Sequence, residues 1–201
     1  MIYDKDIREP LFDWFEETFG KARVFEEKRT GRARADVVLV TEGNVTGVEI
    51  KSDADSYSRL SNQVKEYNKF YTRNIVVVGA SHSKHIAEHV PDYWGIVSVS
   101  EKDGRLFFEV LREPQDNPKV KLKNTLRLLW RPELALLQEK NKMPKYREKS
   151  KEFVITKIAE RVPEKIPMET IRDQISDILF ERDYTLIQSI IKDFKNSKTQ
   201  G

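Results

Sequence analysis

The 201-residue sequence predicts an α/β fold, a mixed sheet flanked by helices and followed by an all-α C-terminal region. Three observations carry this expectation. Short β-branched runs occur at 36–41, 45–51 and 74–79. Between them lie stretches whose apolar residues recur at helical spacing. Beyond Pro114 the chain turns basic, and its apolar residues keep to helical spacing.

The elements follow in order. Ile7, Leu11, Trp14, Phe15 and Phe19 place a helix over 6–19, with Asp6 as its cap and Gly20 as its stop. Residues 22–28 read as a strand and Thr30-Gly31 as a break. The runs 36–41 and 45–51 form a hairpin across Glu42-Gly43-Asn44. A helix over 56–71 carries Leu60, Val64, Tyr67 and Tyr71 on one side. Ile75-Val76-Val77-Val78 reads as a buried central strand. A short helix over 83–90 and strands over 94–99 and 105–111 complete the series, a mixed sheet with helices on its faces.

This organisation gives a core over 1–113, a linker over 114–124 marked by Pro114, Asp116, Asn117 and Pro118, and a basic helical region over 125–201. Helices are expected there at 126–141, 151–162, 169–180 and 185–194.

Composition narrows the functional classes. The chain is 38% hydrophobic and 34% charged and contains no cysteine, which excludes disulfides and thiolate metal sites. The opening Met1-Ile2-Tyr3-Asp4-Lys5-Asp6 lacks the apolar core of a signal peptide, and no apolar stretch reaches the roughly 20 residues that span a bilayer. The expectation is a cytoplasmic protein without membrane contact. Residues 1–115 hold 17 Lys/Arg against 20 Asp/Glu, whereas 116–201 hold 19 against 13, and 119–151 hold 11 against 3. That asymmetry suits a surface that neutralises nucleic-acid phosphates, although a charge run by itself is more often a solvated face.

Hairpin parity collects the chemistry. A two-residue loop at Glu42-Gly43 sets Asp36 opposite Glu49; a loop at Gly43-Asn44 sets it opposite Lys51. Both registers put Asp36, Glu49 and Lys51 on one sheet face, because strand side chains alternate with period two. Two adjacent carboxylates resist joint ionisation unless a cation lies between them, and hard oxygen ligands suit Mg2+ or Mn2+. Ile50 points its side chain into the core, which leaves its carbonyl as a further metal ligand. Lys51 can orient a water or stabilise charge on a phosphorane-like transition state.

Ala35-Asp36-Val37-Val38-Leu39, with Glu49-Ile50-Lys51 thirteen residues on from Asp36, resembles the PD-(D/E)XK nuclease signature. The element order over about 6–100 resembles that superfamily's αβββαβ core, a restriction-endonuclease-like fold. Gln63 and Tyr67 match the Gln-x-x-x-Tyr element of its RecB-type members. Position 35 is Ala rather than Pro, which leaves the ligand positions untouched. The resemblance implies Mg2+- or Mn2+-dependent hydrolysis of DNA in repair, recombination or phage and defence DNA processing. Asp36, Glu49, Ile50 and a first-helix carboxylate (Glu9) would hold the metal, with Lys51, Gln63 and Tyr67 as further catalytic residues. Glu26 and Glu27 are the alternative source of a third carboxylate.

The basic segment 126–162 resembles a SAP-like helix–loop–helix. Glu133, Leu134 and Leu137 lie on its first helix, Met143-Pro144 in its loop, and Phe153, Ile155, Ile158 and Ala159 on its second helix. It implies DNA contacts from Lys140, Lys142, Lys145, Tyr146, Arg147, Lys149 and Lys151. His82, His85 and His89 share one side of a short helix, a spacing that Zn2+ can use, although no carboxylate or cysteine completes a site there. The rival functional reading is a non-catalytic nuclease-fold protein that binds DNA or recruits a partner. A homodimer is compatible with either reading.

Overall fold

The computed structural model describes residues 2–30 and 33–182, with the side chains of 27–30 and 33 excepted. Strands β1 (Arg23–Thr30), β2 (Ala33–Thr41), β3 (Asn44–Lys51), β4 (Arg73–Gly79), β5 (Gly95–Lys102) and β6 (Arg105–Arg112) lie side by side in chain order. The outer pairings are antiparallel, while β3–β4 and β4–β5 are parallel. The mixed sheet flanked by helices is therefore as expected. Strands β3 and β4 are buried almost throughout, which explains their continuous apolar runs.

Helix α1 (Asp4–Phe19) covers one face, packing Ile7, Leu11 and Phe15 against Val37, Leu39, Val48, Ile50 and Val77. Helices α2 (Leu60–Phe70), α3 (Leu122–Arg127), α4 (Arg131–Lys140), α5 (Lys151–Ala159) and α6 (Met168–Phe180) cover the other. Val38, Val40, Val76 and Val78 of the sheet share one continuous apolar cluster with Leu126, Leu134, Ile155 and Ile175 of the C-terminal helices. The linker itself is tied down: the Asn117 amide donates to the Asn68 and Tyr71 carbonyls at 2.9 and 2.8 Å, and the Thr125 hydroxyl donates to the Phe70 carbonyl at 2.7 Å. These bonds satisfy carbonyls at the end of α2 that have no partner within the helix.

The hairpin adopts the Glu42-Gly43 loop, with Thr41 opposite Asn44 and Gly43 at φ +66°. Helix α6 grips this turn, since the Gly43 N–H donates to Ser176 Oγ at 3.0 Å and Arg172 donates to Asn44 Oδ1 at 2.8 Å. Further along β3, Gly47 lets the Tyr71 ring lie on the strand; a Cβ there would collide with the ring.

Two expected helices differ. The single helix expected at 126–141 is broken into α3 and α4, because Pro132 opens a new helix and has no amide to continue an old one. The Glu133 carboxylate accepts the Trp130 N–H at 2.6 Å and closes this start. The segment 83–90 forms turns around a short 3-10 stretch, Ile86–Glu88, as so few residues hardly sustain an α-helix. The helix expected at 185–194 lies outside the described residues. No helix among those described is long and apolar enough to cross a membrane.

Candidate active site

The pairing of β2 with β3 runs to Val37↔Val48, and its register sets Asp36 opposite Glu49. At the next rung the Asp36 carboxylate replaces the backbone partner: Oδ2 accepts the Ile50 N–H at 3.0 Å. Asp36 is half-buried, whereas Glu49 is 0% and Lys51 4% exposed. The Ile50 side chain is buried on the α1 side, as expected, while the residue borders the cleft from the other side. Beyond Lys51 the Asp55 carboxylate accepts both the Ser52 N–H at 2.8 Å and the Ser52 hydroxyl at 2.7 Å, turning the chain away from the strand towards α2.

Helix α2 completes the cluster. The Tyr67 hydroxyl donates to Glu49 Oε2 at 2.6 Å, and the Gln63 amide donates to Glu49 Oε1. The Lys51 ammonium donates to the same Oε1 at 2.6 Å. Five residues from two strands and one helix thus converge, with Gln63 and Tyr67 on Glu49 rather than on Lys51. Gln63 and Tyr67 are one helical turn apart, which is why the pair can hold one carboxylate.

Electrostatics follow from burial. Desolvation, then the nearby Asp36 charge, pushes the Glu49 carboxyl up to about 7, against the opposing pull of Lys51 and Tyr67. Burial also raises Asp36, opposed by the Ile50 N–H and by the charges of Lys51 and Arg8, while Asp4 adds to the rise. Burial and the Glu49 charge raise Tyr67 well above the usual phenol range, so it stays a donor. Two acceptor oxygens, Asp4 Oδ1 and Gln63 Oε1, are buried with no hydrogen-bond partner.

Helix α1 contributes different residues from the one expected. Glu9 is exposed and does not line the cleft. Ile7, Leu11 and Phe15 set the helix phase, and Glu9 lies about 200° around from Ile7. Asp4 and Arg8 face the cleft instead. The Arg8 guanidinium pairs with Asp4 at 2.9 Å, lies 3.8 Å from Asp36 Oδ1 and 3.5 Å from Glu26 Oε2. Glu26 is therefore a partner of Arg8, and the side chain of Glu27 is not among those described.

The cluster lies in a cleft of about 1340 Å³ whose walls also carry Arg34, Arg59, Asn62, Lys65, Lys69, Lys119 and Lys121. None of the basic residues expected to contact DNA lines it. Lys140, Lys142, Lys145, Arg147 and Lys149 are exposed elsewhere. Tyr146 packs edge-on against Phe153 at 5.3 Å, and the Lys151 ammonium is half-buried, donating to the Arg127 carbonyl at 2.8 Å. The basic residues of α2 were missed because they are spaced out among acids and amides, so no charge run marks them.

The three histidines do not converge. His82 and His89 pack against the Tyr57 ring, at centroid distances of 4.8 and 4.3 Å, and His85 pairs with Glu88 at 3.2 Å. Among the described residues no three histidine or acidic side chains are grouped closely enough to hold a metal ion by themselves.

No curated protein matches the chain. Among solved structures, Pyrococcus furiosus SfsA in complex with Ca2+ is similar over 58% of this chain, at 16% identity and a TM-score of 0.35. The match spans only 63% of that chain. The family described as bacteriophage P4 protein cII matches residues 4–200, nearly the whole sequence, and the chain belongs to that family.

Proposed function

We propose that the protein is a divalent-metal-dependent DNA nuclease of the PD-(D/E)XK type. One observation carries the reading. Asp36, Glu49 and Lys51 meet at the wall of an open cleft, and burial of Glu49 beside a second carboxyl holds it up to about 7. A network built only for stability has no need of adjacent carboxyls in a site that resists their ionisation; a cation makes joint ionisation favourable.

The residues fit Mg2+ or Mn2+. All the donors are hard oxygens, and Mg2+ is commonly held by one or two carboxylates while keeping several waters. Asp36 and Glu49 would hold it, with the Ile50 carbonyl; Asp4, on α1, is paired with Arg8. Bound there, the ion would polarise a phosphoryl oxygen as a Lewis acid. Lys51, held by Glu49, would orient the attacking water and offset negative charge on the phosphorus oxygens. Gln63 and Tyr67 fix the Glu49 carboxylate and keep its oxygens directed.

A second reading is favoured by one observation. Both Glu49 oxygens already accept hydrogen bonds, from Lys51, Gln63 and Tyr67, as in a closed structural network. On that reading the protein is a nuclease-fold DNA binder without catalysis. Incubating labelled DNA with Mg2+, Mn2+ or EDTA separates the two. A nuclease cleaves only with the divalent ion. A binder leaves the DNA intact throughout and retains affinity in EDTA.

A further inference from the structure

We propose that the exposed side of α2, continued by the linker residues Lys119 and Lys121, is the track on which the phosphate backbone of a DNA duplex lies as it enters the cleft. The inference takes its ligand class from the nuclease reading, but its location comes from the placement of charge around the cleft.

Helix α2 buries Leu60, Val64, Tyr67, Asn68 and Phe70, and its more exposed residues Asn62, Lys65, Glu66 and Lys69 border the cleft beside Gln63. Arg59, Asn62, Lys65 and Lys69 follow one another along that side at steps of three or four residues, the spacing that aligns side chains on a helix. Its far end meets the linker, where the Lys121 N–H donates to the Lys69 carbonyl at 3.0 Å. That bond and the Asn117 bonds to Asn68 and Tyr71 hold Lys119 and Lys121 beside Lys69 as a continuation of the same wall. The acidic cluster therefore has a line of cations leading away from it.

The charges on this line are available. Among the described residues Arg59, Lys65, Lys119 and Lys121 have no ion pair; of the others on the line, Lys69 pairs with Glu66 at 2.7 Å. Arg59, Lys65, Lys119 and Lys121 are all exposed. An 11-residue helix is about 16 Å long, which spans roughly four to five phosphates of one strand along a duplex axis. Asn62 supplies a neutral donor among them, of the kind that phosphate oxygens accept. The basic loop of 140–149, by contrast, lies outside the cleft and leads away from no catalytic group.

The test is binding without cleavage. Affinity for a short fluorescein-labelled DNA duplex is measured by anisotropy in EDTA over a series of salt concentrations. The full chain is compared with Lys65→Ala/Lys69→Ala/Lys121→Ala and with Lys140→Ala/Lys145→Ala/Lys149→Ala, each checked for native circular dichroism. Removing a phosphate contact flattens the slope of log affinity against log salt by about 0.9. The track variant should lose affinity and flatten the slope by that amount for each lysine that contacts phosphate, and the 140–149 variant should change neither. An unchanged slope in the track variant, a loss confined to the 140–149 variant, or no binding by the native chain overturns the inference. Absence of cleavage with Mg2+ would remove the nuclease reading and leave this result standing.

Discussion

The Tyr67 hydroxyl and the Glu49 carboxylate, eighteen residues apart, meet at 2.6 Å where α2 crosses β3. Replacing Tyr67 by Phe leaves a fully buried carboxylate oxygen without that donor, a loss of about 1–3 kcal/mol. It also removes an influence that lowers the Glu49 pKa. Urea unfolding should show the destabilisation, and the acid limb of any cleavage–pH profile should move to higher pH. A profile moved to lower pH would contradict the assignment.

Glu49 makes stability depend on pH in a defined direction. Its carboxyl titrates near 4.5 in an unfolded chain and is raised to about 7 in the fold. Between those values the folded state binds more protons, so Glu49's contribution to stability is present below about 4.5 and is lost as pH rises towards about 7. Glu49→Gln cannot lose a proton. Its stability relative to the native chain should therefore rise across this window, as read from urea midpoints at a series of pH values without divalent ions. A difference that stays flat would refute the raised carboxyl.

Arg8 competes for the same carboxylates. It lies 3.8 Å from Asp36 and pairs with Asp4 at 2.9 Å, so it occupies charge that a divalent ion would use. A unit charge about 4 Å away is worth about 1 kcal/mol in water, or a factor of about five in affinity. Arg8→Ala should bind Mg2+ about that much more tightly in calorimetry of the protein alone. Weaker or unchanged binding would place the ion elsewhere.

The C-terminal helices are held by a buried pair. Arg182, 0% exposed at its side chain, donates twice to Glu133 at 2.6 Å and once to the Leu128 carbonyl, and its guanidinium lies over the Trp130 ring at 4.6 Å. Arg182→Met leaves Glu133 buried and uncompensated, which costs about 3–5 kcal/mol. The double variant Arg182→Met/Glu133→Leu should recover most of this in thermal unfolding, since the buried charge is then gone. Equal destabilisation in both variants would show that the guanidinium acts through packing alone.

The Asp36–Glu49–Lys51 grouping was legible because the period-two alternation of a hairpin leaves few registers, and α2 was legible from Leu60, Val64 and Tyr67. Glu9 was misplaced although Ile7, Leu11 and Phe15 already fix the helix phase; a carboxylate between buried positions on the far side cannot reach the sheet. Asp4 and Arg8 carry no local signal, because their role depends on how α1 lies across β2. The break at Trp130 was readable from Pro132. The packing of α6 on the Gly43 turn was not, since it joins residues more than a hundred positions apart and rests on Ser176 and Arg172, which look like ordinary surface residues.

The most direct test concerns Lys51. Lys51→Met keeps an unbranched apolar stem but removes the ammonium that contacts Glu49 at 2.6 Å. With Mg2+ or Mn2+ and labelled DNA, the native chain should cleave and this variant should not, while both bind the duplex in EDTA with similar affinity. Cleavage retained by Lys51→Met, or none by the native chain with either ion, would contradict the account.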